Sequence, residues 1–301
     1  MRTNWTGVGT ALITPFTTSG ALDEAAVRRL ARRQIDAGVH FLVPCGTTGE
    51  TPTLSADEKR RVIEIVVAEA SGRVPVLAGA GGYDTRDVID AVARMQTLGV
   101  QGILSVTPYY NKPTQEGLYQ HYKAIADSTL LPIVVYNVPG RTGCNVEPAT
   151  IVRLSAIKNI VGVKEASGNI TQMAEICRNV PADFLVISGD DAITLPLMAI
   201  GGRGIISVAS NEVPAEMAHM VETAEQGNFA GARTLHDKLL PLMQINFIES
   251  SPGPVKFAMA AMGLCEDVFR LPMVSPRPAS KEKILAVMRE FGLPVVAGAH
   301  A

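Results

Sequence analysis

Eight short runs of aliphatic and β-branched residues recur along the chain, at residues 8–16, 41–46, 74–81, 102–108, 132–138, 160–166, 184–190 and 204–209, bounded by Gly and Pro. Runs such as Val-Pro-Val-Leu-Ala-Gly (74–79) and Leu-Pro-Ile-Val-Val-Tyr (131–136) are apolar on both sides. Parallel strands covered on both faces have this pattern, whereas half-exposed antiparallel strands alternate polar and apolar residues. Segments of helical period separate the runs, at about 23–37, 55–70, 85–98, 114–129, 147–155, 170–179, 192–200 and 214–225. The clearest begins with Ser55 and Glu58 in capping-box spacing and places Val62, Ile63, Val66 and Val67 on one face. Eightfold alternation of strand and helix predicts a (β/α)8 TIM barrel, with a doubly wound open sheet as the alternative. After Glu225 the strands stop and helical stretches follow at 229–248, 254–262 and 281–291, with an extended connector at 270–278. The expected organisation is a catalytic barrel over residues 1–225 and a C-terminal helical appendage over 226–301.

Composition narrows the function. The chain is 47% hydrophobic with a formal charge of −2, which fits an ordinary soluble globular protein with a large core rather than a phosphate-binding surface, so no nucleic-acid partner is expected. Arg28, Arg29, Arg32 and Arg33 read as a solvated helix face. Apolar runs stay short of the roughly 18 residues that span a bilayer, so no membrane partner is expected. Cys45, Cys144, Cys177 and Cys265 lack C-x-x-C spacing, and the first residues lack the apolar stretch of a secretory signal, which together predict a reducing cytoplasm. His40, His121, His219, His236 and His300 are too scattered for a ligand set; each is expected at the surface or as a cap, and no metal is expected.

A parallel barrel carries its chemistry at the carboxyl ends of its strands. Reactive residues gather there: Gly46-Thr47-Thr48-Gly49-Glu50 after the second strand, Thr107 to Asn111 after the fourth, Tyr136 to Gly143 after the fifth, Lys164-Glu165 in the sixth and Ser188 to Asp191 after the seventh. Lys164 ends an otherwise apolar strand, where desolvation favours an uncharged amine able to attack a ketone. A lysine paired with a neighbouring acid fits the position equally well. Tyr136 is either a proton relay or a core phenol. Thr47 and Thr48 suit a loop that binds carboxylate or phosphate, or a plain tight turn. Arg141 is either a bidentate carboxylate partner or a surface arginine.

Together these motifs resemble the dihydrodipicolinate synthase branch of the pyruvate-dependent aldolases, along essentially the whole chain. The resemblance rests on residues 46–50, on Pro108-Tyr109-Tyr110-Asn111-Lys112-Pro113-Thr114-Gln115, on 136–143, on Val163-Lys164-Glu165-Ala166-Ser167-Gly168 and on 188–191. It implies that pyruvate forms an imine with Lys164, becomes an enamine and attacks L-aspartate 4-semialdehyde; cyclisation and transimination then release 4-hydroxy-tetrahydrodipicolinate, an intermediate of diaminopimelate and lysine biosynthesis. It implies no cofactor beyond the covalent imine. Tyr136 is implied to shuttle protons through Thr47 to a Tyr110 that crosses from a neighbouring subunit of a homotetramer built from tight dimers. Thr48 and the backbone near Gly189 and Ile206 are implied to hold the pyruvate carboxylate, and Arg141 that of the semialdehyde.

N-acetylneuraminate lyases and ketodeoxy-sugar-acid aldolases share the fold and the imine. Thr47 and Arg141 favour the synthase branch over the N-acetylneuraminate lyases, while a ketodeoxy-sugar-acid aldolase stands as the alternative, since residues outside these loops can alter the second substrate. Two departures stand out. Ser251 replaces an asparagine common among relatives, and Ala56 and Lys59 stand where members inhibited by lysine carry histidines. Although Tyr109 is retained, the ammonium of Lys59 would repel a cationic effector, so weak or absent inhibition by lysine is expected.

Overall fold

The structure is a computed structural model that describes residues 5–296. Eight strands are present: β1 (Gly7–Ala11), β2 (Phe41–Val43), β3 (Leu77–Gly79), β4 (Gly102–Val106), β5 (Ile133–Asn137), β6 (Ile160–Glu165), β7 (Leu185–Ser188) and β8 (Gly204–Ser207). Every pairing between them is parallel, and the sheet order runs β2-β1-β8-β7-β6-β5-β4-β3. The two ends of that order meet. Leu42 bridges Val76 in parallel, Leu42 N–H donates to Pro75 O and Gly79 N–H donates to Pro44 O, both at 3.0 Å. The sheet therefore closes into a barrel, and an open doubly wound sheet is set aside.

Parity along the strands explains the apolar runs. On β5, Val134 and Tyr136 join an interior cluster with Phe41, Leu104, Ile187 and Ile206. Ile133 and Val135 instead join the shell beneath the helices, with Ile63, Val66, Leu118 and Ile151. Both faces are buried, so no polar alternation survives. Each strand is shorter than its apolar run because the run continues beneath the barrel rim after the ladder ends. After β1, for example, Leu12 and Ile13 stay buried, but Ile13 N–H donates to the Asn211 side chain at 3.2 Å.

Helices surround the strands: α1 (Glu24–Asp36), α2 (Ala56–Ala70), α3 (Thr85–Gln96), α4 (Gln115–Asp127), α5 (Pro139–Thr142), α6 (Pro148–Ser155), α7 (Ile170–Asn179), α8 (Thr194–Ala199) and α9 (Pro214–Glu225). Ser55 and Glu58 form the expected capping box, with bonds of 3.2 and 2.9 Å. The short α5 carries no amphipathic signal and was not expected. The C-terminal helices α10 (Phe229–Ile245), α11 (Gly253–Ala261) and α12 (Pro278–Phe291) follow without strands; α10 packs on α9 and α8, and α11 on α12. Among the described residues no helix is long and apolar enough to cross a membrane.

Two sequence expectations change. Arg33 is not on a solvated face: its guanidinium donates to the carbonyls of Asn211 and Glu212, just after β8, both at 2.6 Å. Arg28 and Arg32 pair with Glu69 of α2. His121 is buried in α4 against Thr85 Oγ1 at 2.9 Å, and burial pushes its pKa down to about 4. His300 lies outside the described residues.

Buried Glu212 accepts a hydrogen bond from Asn246 Nδ2, while Glu212 Oε1 and Asn246 Oδ1 both lack partners. A proton on Glu212 would turn one of its acceptor oxygens into a donor, in keeping with burial pushing its pKa up to about 8. The folded-state value lies above the ordinary 4.5. The stability contributed by the neutral acid is therefore complete below pH 4.5, declines above it and is lost once pH passes about 8. Unfolding measured at pH 6 and pH 9 should differ by on the order of 2 kcal/mol from this group. Glu212→Gln, which preserves the shape and an oxygen to accept from Asn246, should remove that part of the pH dependence.

Candidate active site

The register of β5 on β6 sets Tyr136 directly opposite Lys164. Both side chains share the inward parity, and Lys164 is 5% exposed. Its Nζ lies 4.2 Å from the centre of the Tyr136 ring. The adjacent acid points the other way. Glu165 accepts from Asn137 Nδ2 at 2.9 Å, Gln172 Nε2 at 3.3 Å and Ser167 N–H at 2.7 Å, all outside the barrel. Among the described residues Lys164 has no carboxylate partner within 4.0 Å. The reading of Lys164 as one half of an ion pair therefore fails, and its amine faces an aromatic ring inside the barrel.

Room for the lysine stem comes from Gly189, just past β7. A Cβ there would lie 3.0 Å from Lys164 Cε and 2.6 Å from Ala166 Cβ. Its N–H donates to Glu165 O at 2.8 Å, which holds the turn against β6. Ile206 lines the interior from β8. Asp191 accepts from Ser207 Oγ and, at 3.1 Å each, from the N–H groups of Val208 and Ala209. Asp191 thus braces the loop after β7 against the one after β8, even though burial pushes its carboxyl pKa up.

The Thr47–Thr48 segment is a short 3-10 turn (Thr47–Gly49) between two strained residues, Cys45 at φ 57° and Glu50 at φ 51°. Thr14 Oγ1 donates to Gly49 O at 2.7 Å and Thr51 Oγ1 to Gly46 O at 3.1 Å, so neighbouring hydroxyls fix the turn. Among the described residues no hydrogen bond engages the hydroxyls of Thr47, Thr48 or Tyr136. These hydroxyls are therefore free to bond to a ligand or to water.

Tyr110 stands apart from them. It is 91% exposed at φ 72°, in the left-handed region that disfavours side chains, and Lys112 follows at φ 44°. Its neighbours are anchored: Tyr109 packs edge-on against Tyr83 at 5.2 Å, and Asn111 Nδ2 donates to Tyr83 O at 3.1 Å. Within one chain Tyr110 is not bonded to Tyr136 or Thr47.

Arg141, exposed on α5, reaches Ser251 O with Nη2 at 3.4 Å. That contact is to the backbone, so it does not depend on the side chain at position 251. Ala56, Lys59 and Tyr109 meet in a different place, a cleft of about 830 Å³ between α2 and α3 that Asp57, Asp84 and Asp87 also line.

One residue escaped the sequence reading. Lys256 on α11 is fully buried and pairs with Glu50 at 2.6 Å. A single charge inside the apolar stretch Val255 to Ala261 was its only sequence signal.

Comparison with known proteins covers this whole arrangement. The profile of the dihydrodipicolinate synthetase family matches residues 4–290. The 4-hydroxy-tetrahydrodipicolinate synthase of Koribacter versatilis is 51% identical over 288 residues, spanning 95% of this chain and 96% of its own length. The crystal structure of dihydrodipicolinate synthase from Aquifex aeolicus superposes with a TM-score of 0.95 at 41% identity, covering 97% of this chain and 100% of that one. The enzyme of Acinetobacter baumannii complexed with pyruvate also gives 0.95, at 39% identity, over 96% of this chain and 100% of its own. The barrel, the lysine strand and most of the C-terminal helices fall inside the matched span, and the chain belongs to the dihydrodipicolinate synthetase family.

Proposed function

We propose that this chain is a lyase that condenses pyruvate with L-aspartate 4-semialdehyde to 4-hydroxy-tetrahydrodipicolinate, on the route to diaminopimelate and lysine. The observation that carries the mechanism is the amine of Lys164, buried inside the barrel without an anion and stacked on Tyr136. The amine adds to the C2 carbonyl of pyruvate, and loss of water leaves an iminium. The iminium draws electrons from C3, so a C3 proton leaves and the enamine attacks the aldehyde carbon. The amino group of the semialdehyde then attacks C2 and displaces the lysine. The overall balance is pyruvate plus semialdehyde going to product plus one water. The iminium is the electron sink, so neither a metal nor a redox cofactor is needed.

In this mechanism Tyr136 moves the protons, beside the nitrogen that gains and loses them. Thr47 and Thr48 supply free hydroxyls, Thr48 and the backbone near Gly189 and Ile206 hold the pyruvate carboxylate, and Arg141 takes that of the semialdehyde. Tyr110 completes the relay from a second chain of a homotetramer; its strained, outward backbone supports that assignment. Residues 1–225 act as the catalytic barrel and 226–301 as the helical unit. The four free cysteines suit the cytoplasm. Lysine inhibits weakly, because Lys59 stands in the α2/α3 cleft; potent inhibition in a lysine titration would overturn that assignment.

Borohydride added with pyruvate should fix a pyruvate-dependent mass increment on Lys164. Absence of any increment would sink the imine. With the adduct present, a coupled assay comparing the semialdehyde with N-acetylneuraminate and ketodeoxy-sugar acids tests the acceptor, and turnover of a sugar acid with none of the semialdehyde would reassign it. Gly189→Ala crowds Lys164 Cε and should lower kcat/KM for pyruvate by roughly 10- to 100-fold, read in steady-state kinetics. Tyr110→Phe should lower kcat by about 100-fold without changing the melting temperature; unchanged kcat would remove Tyr110 from the relay.

A further inference from the structure

We propose that Lys256, on the C-terminal helix α11, is a positioning residue for the Thr47–Thr48 turn, acting through the carboxylate of Glu50. This rests on the assignment of that turn to pyruvate.

Both side chains of the pair are fully buried, with Nζ 2.6 Å from Glu50 Oε1. Two aromatic rings wall the ammonium in: Phe16 at 4.1 Å and Phe269 at 4.9 Å from Nζ. The second carboxylate oxygen accepts the backbone N–H of Arg270 at 3.4 Å. Arg270 in turn grips Glu58, the capping acid of α2, through Nη1 at 2.8 Å and Nη2 at 2.6 Å, and also Thr53 O at 3.1 Å. Among the described residues, both hydrogen bonds to the Glu50 carboxylate thus come from the segment that follows the barrel, over more than two hundred residues of chain.

The backbone of Glu50 gives this anchoring its meaning. Glu50 closes the 3-10 turn in the left-handed region, where a residue with a Cβ is strained and stays only if its surroundings hold it. Its N–H donates to Thr47 O at 3.1 Å, so the Glu50 backbone closes the threonine turn and a shift of one bears on the other. Among the described residues the hydroxyls of Thr47 and Thr48 have no partner of their own, so the turn aims them. Stability alone is a poor account of the pair, because a well-packed apolar pair replaces a buried ion pair at little or no loss. What an apolar pair does not supply is a directional hold on Glu50.

The test pairs two changes. Lys256→Met alone strands a buried carboxylate and is expected to destabilise the chain. Lys256→Met with Glu50→Gln leaves no buried charge. The double variant is expected to fold with a melting temperature near that of the parent and to form the borohydride adduct at saturating pyruvate. Its KM for pyruvate is expected to rise about 10-fold or more, while KM for the semialdehyde stays unchanged. A double variant with parental KM for pyruvate overturns the proposal, as does an equal rise in both KM values, which marks general loosening. If the double variant does not fold, Glu50→Asp decides. It keeps the charges and draws the turn toward Lys256 by one methylene, and must raise KM for pyruvate selectively. Failure of the native chain to form any adduct with pyruvate would instead overturn the assignment of the turn.

Discussion

Closure of the parallel sheet is the constraint on which this molecule depends. A strand with an unpaired edge would expose backbone donors and acceptors, and eight strands in a ring have no edge. The seam between β2 and β3 is thin, with one bridge, Leu42 to Val76, and a few backbone hydrogen bonds spanning two strands of three residues each. The ladder runs out early there, and the chain rises at once into the turn that carries Thr47 and Thr48. Where the sheet stops holding the backbone, side chains take over: Thr14 and Thr51 from nearby, and Lys256 from the far end of the chain.

The sixth strand shows how the barrel sorts chemistry by parity. Lys164 and Glu165 are neighbours in sequence but lie on opposite sides of a wall one strand thick. The carboxylate is absorbed by Asn137, Gln172 and Ser167 beneath the helices, so its charge is spent on fixing the strand. The amine is left with an aromatic face. A slip of this strand by one residue would put the acid inside and the base outside, which is why register matters more here than the presence of the two residue types.

Much of this was legible in the sequence, for reasons that can be named. The strands announced themselves because burial on both faces makes them continuously apolar, and α2 because its capping box and apolar stripe agree. The same continuity hid the parity of Lys164, since a run without alternation does not say which residues face inward. It also made the strands look too long, because Leu12 and Ile13 remain apolar after the ladder has ended. Arg33 looked like a surface charge because its partners are carbonyls, which leave no mark in a sequence. Lys256 was illegible for a related reason: an ion pair is recognised by its partner, and Glu50 is separated from it by the length of the barrel.

That separation bears on how the protein comes into being. A chain made from its amino terminus exposes Glu50 early, and the β/α units can pack as they emerge. The cation that Glu50 needs arrives only when α11 has been synthesised and has docked. Until then the second loop holds a carboxylate without its counter-charge. A nascent chain with a nearly complete barrel therefore still lacks the cation that pairs with Glu50 in its second loop, until α11 has been made and packed.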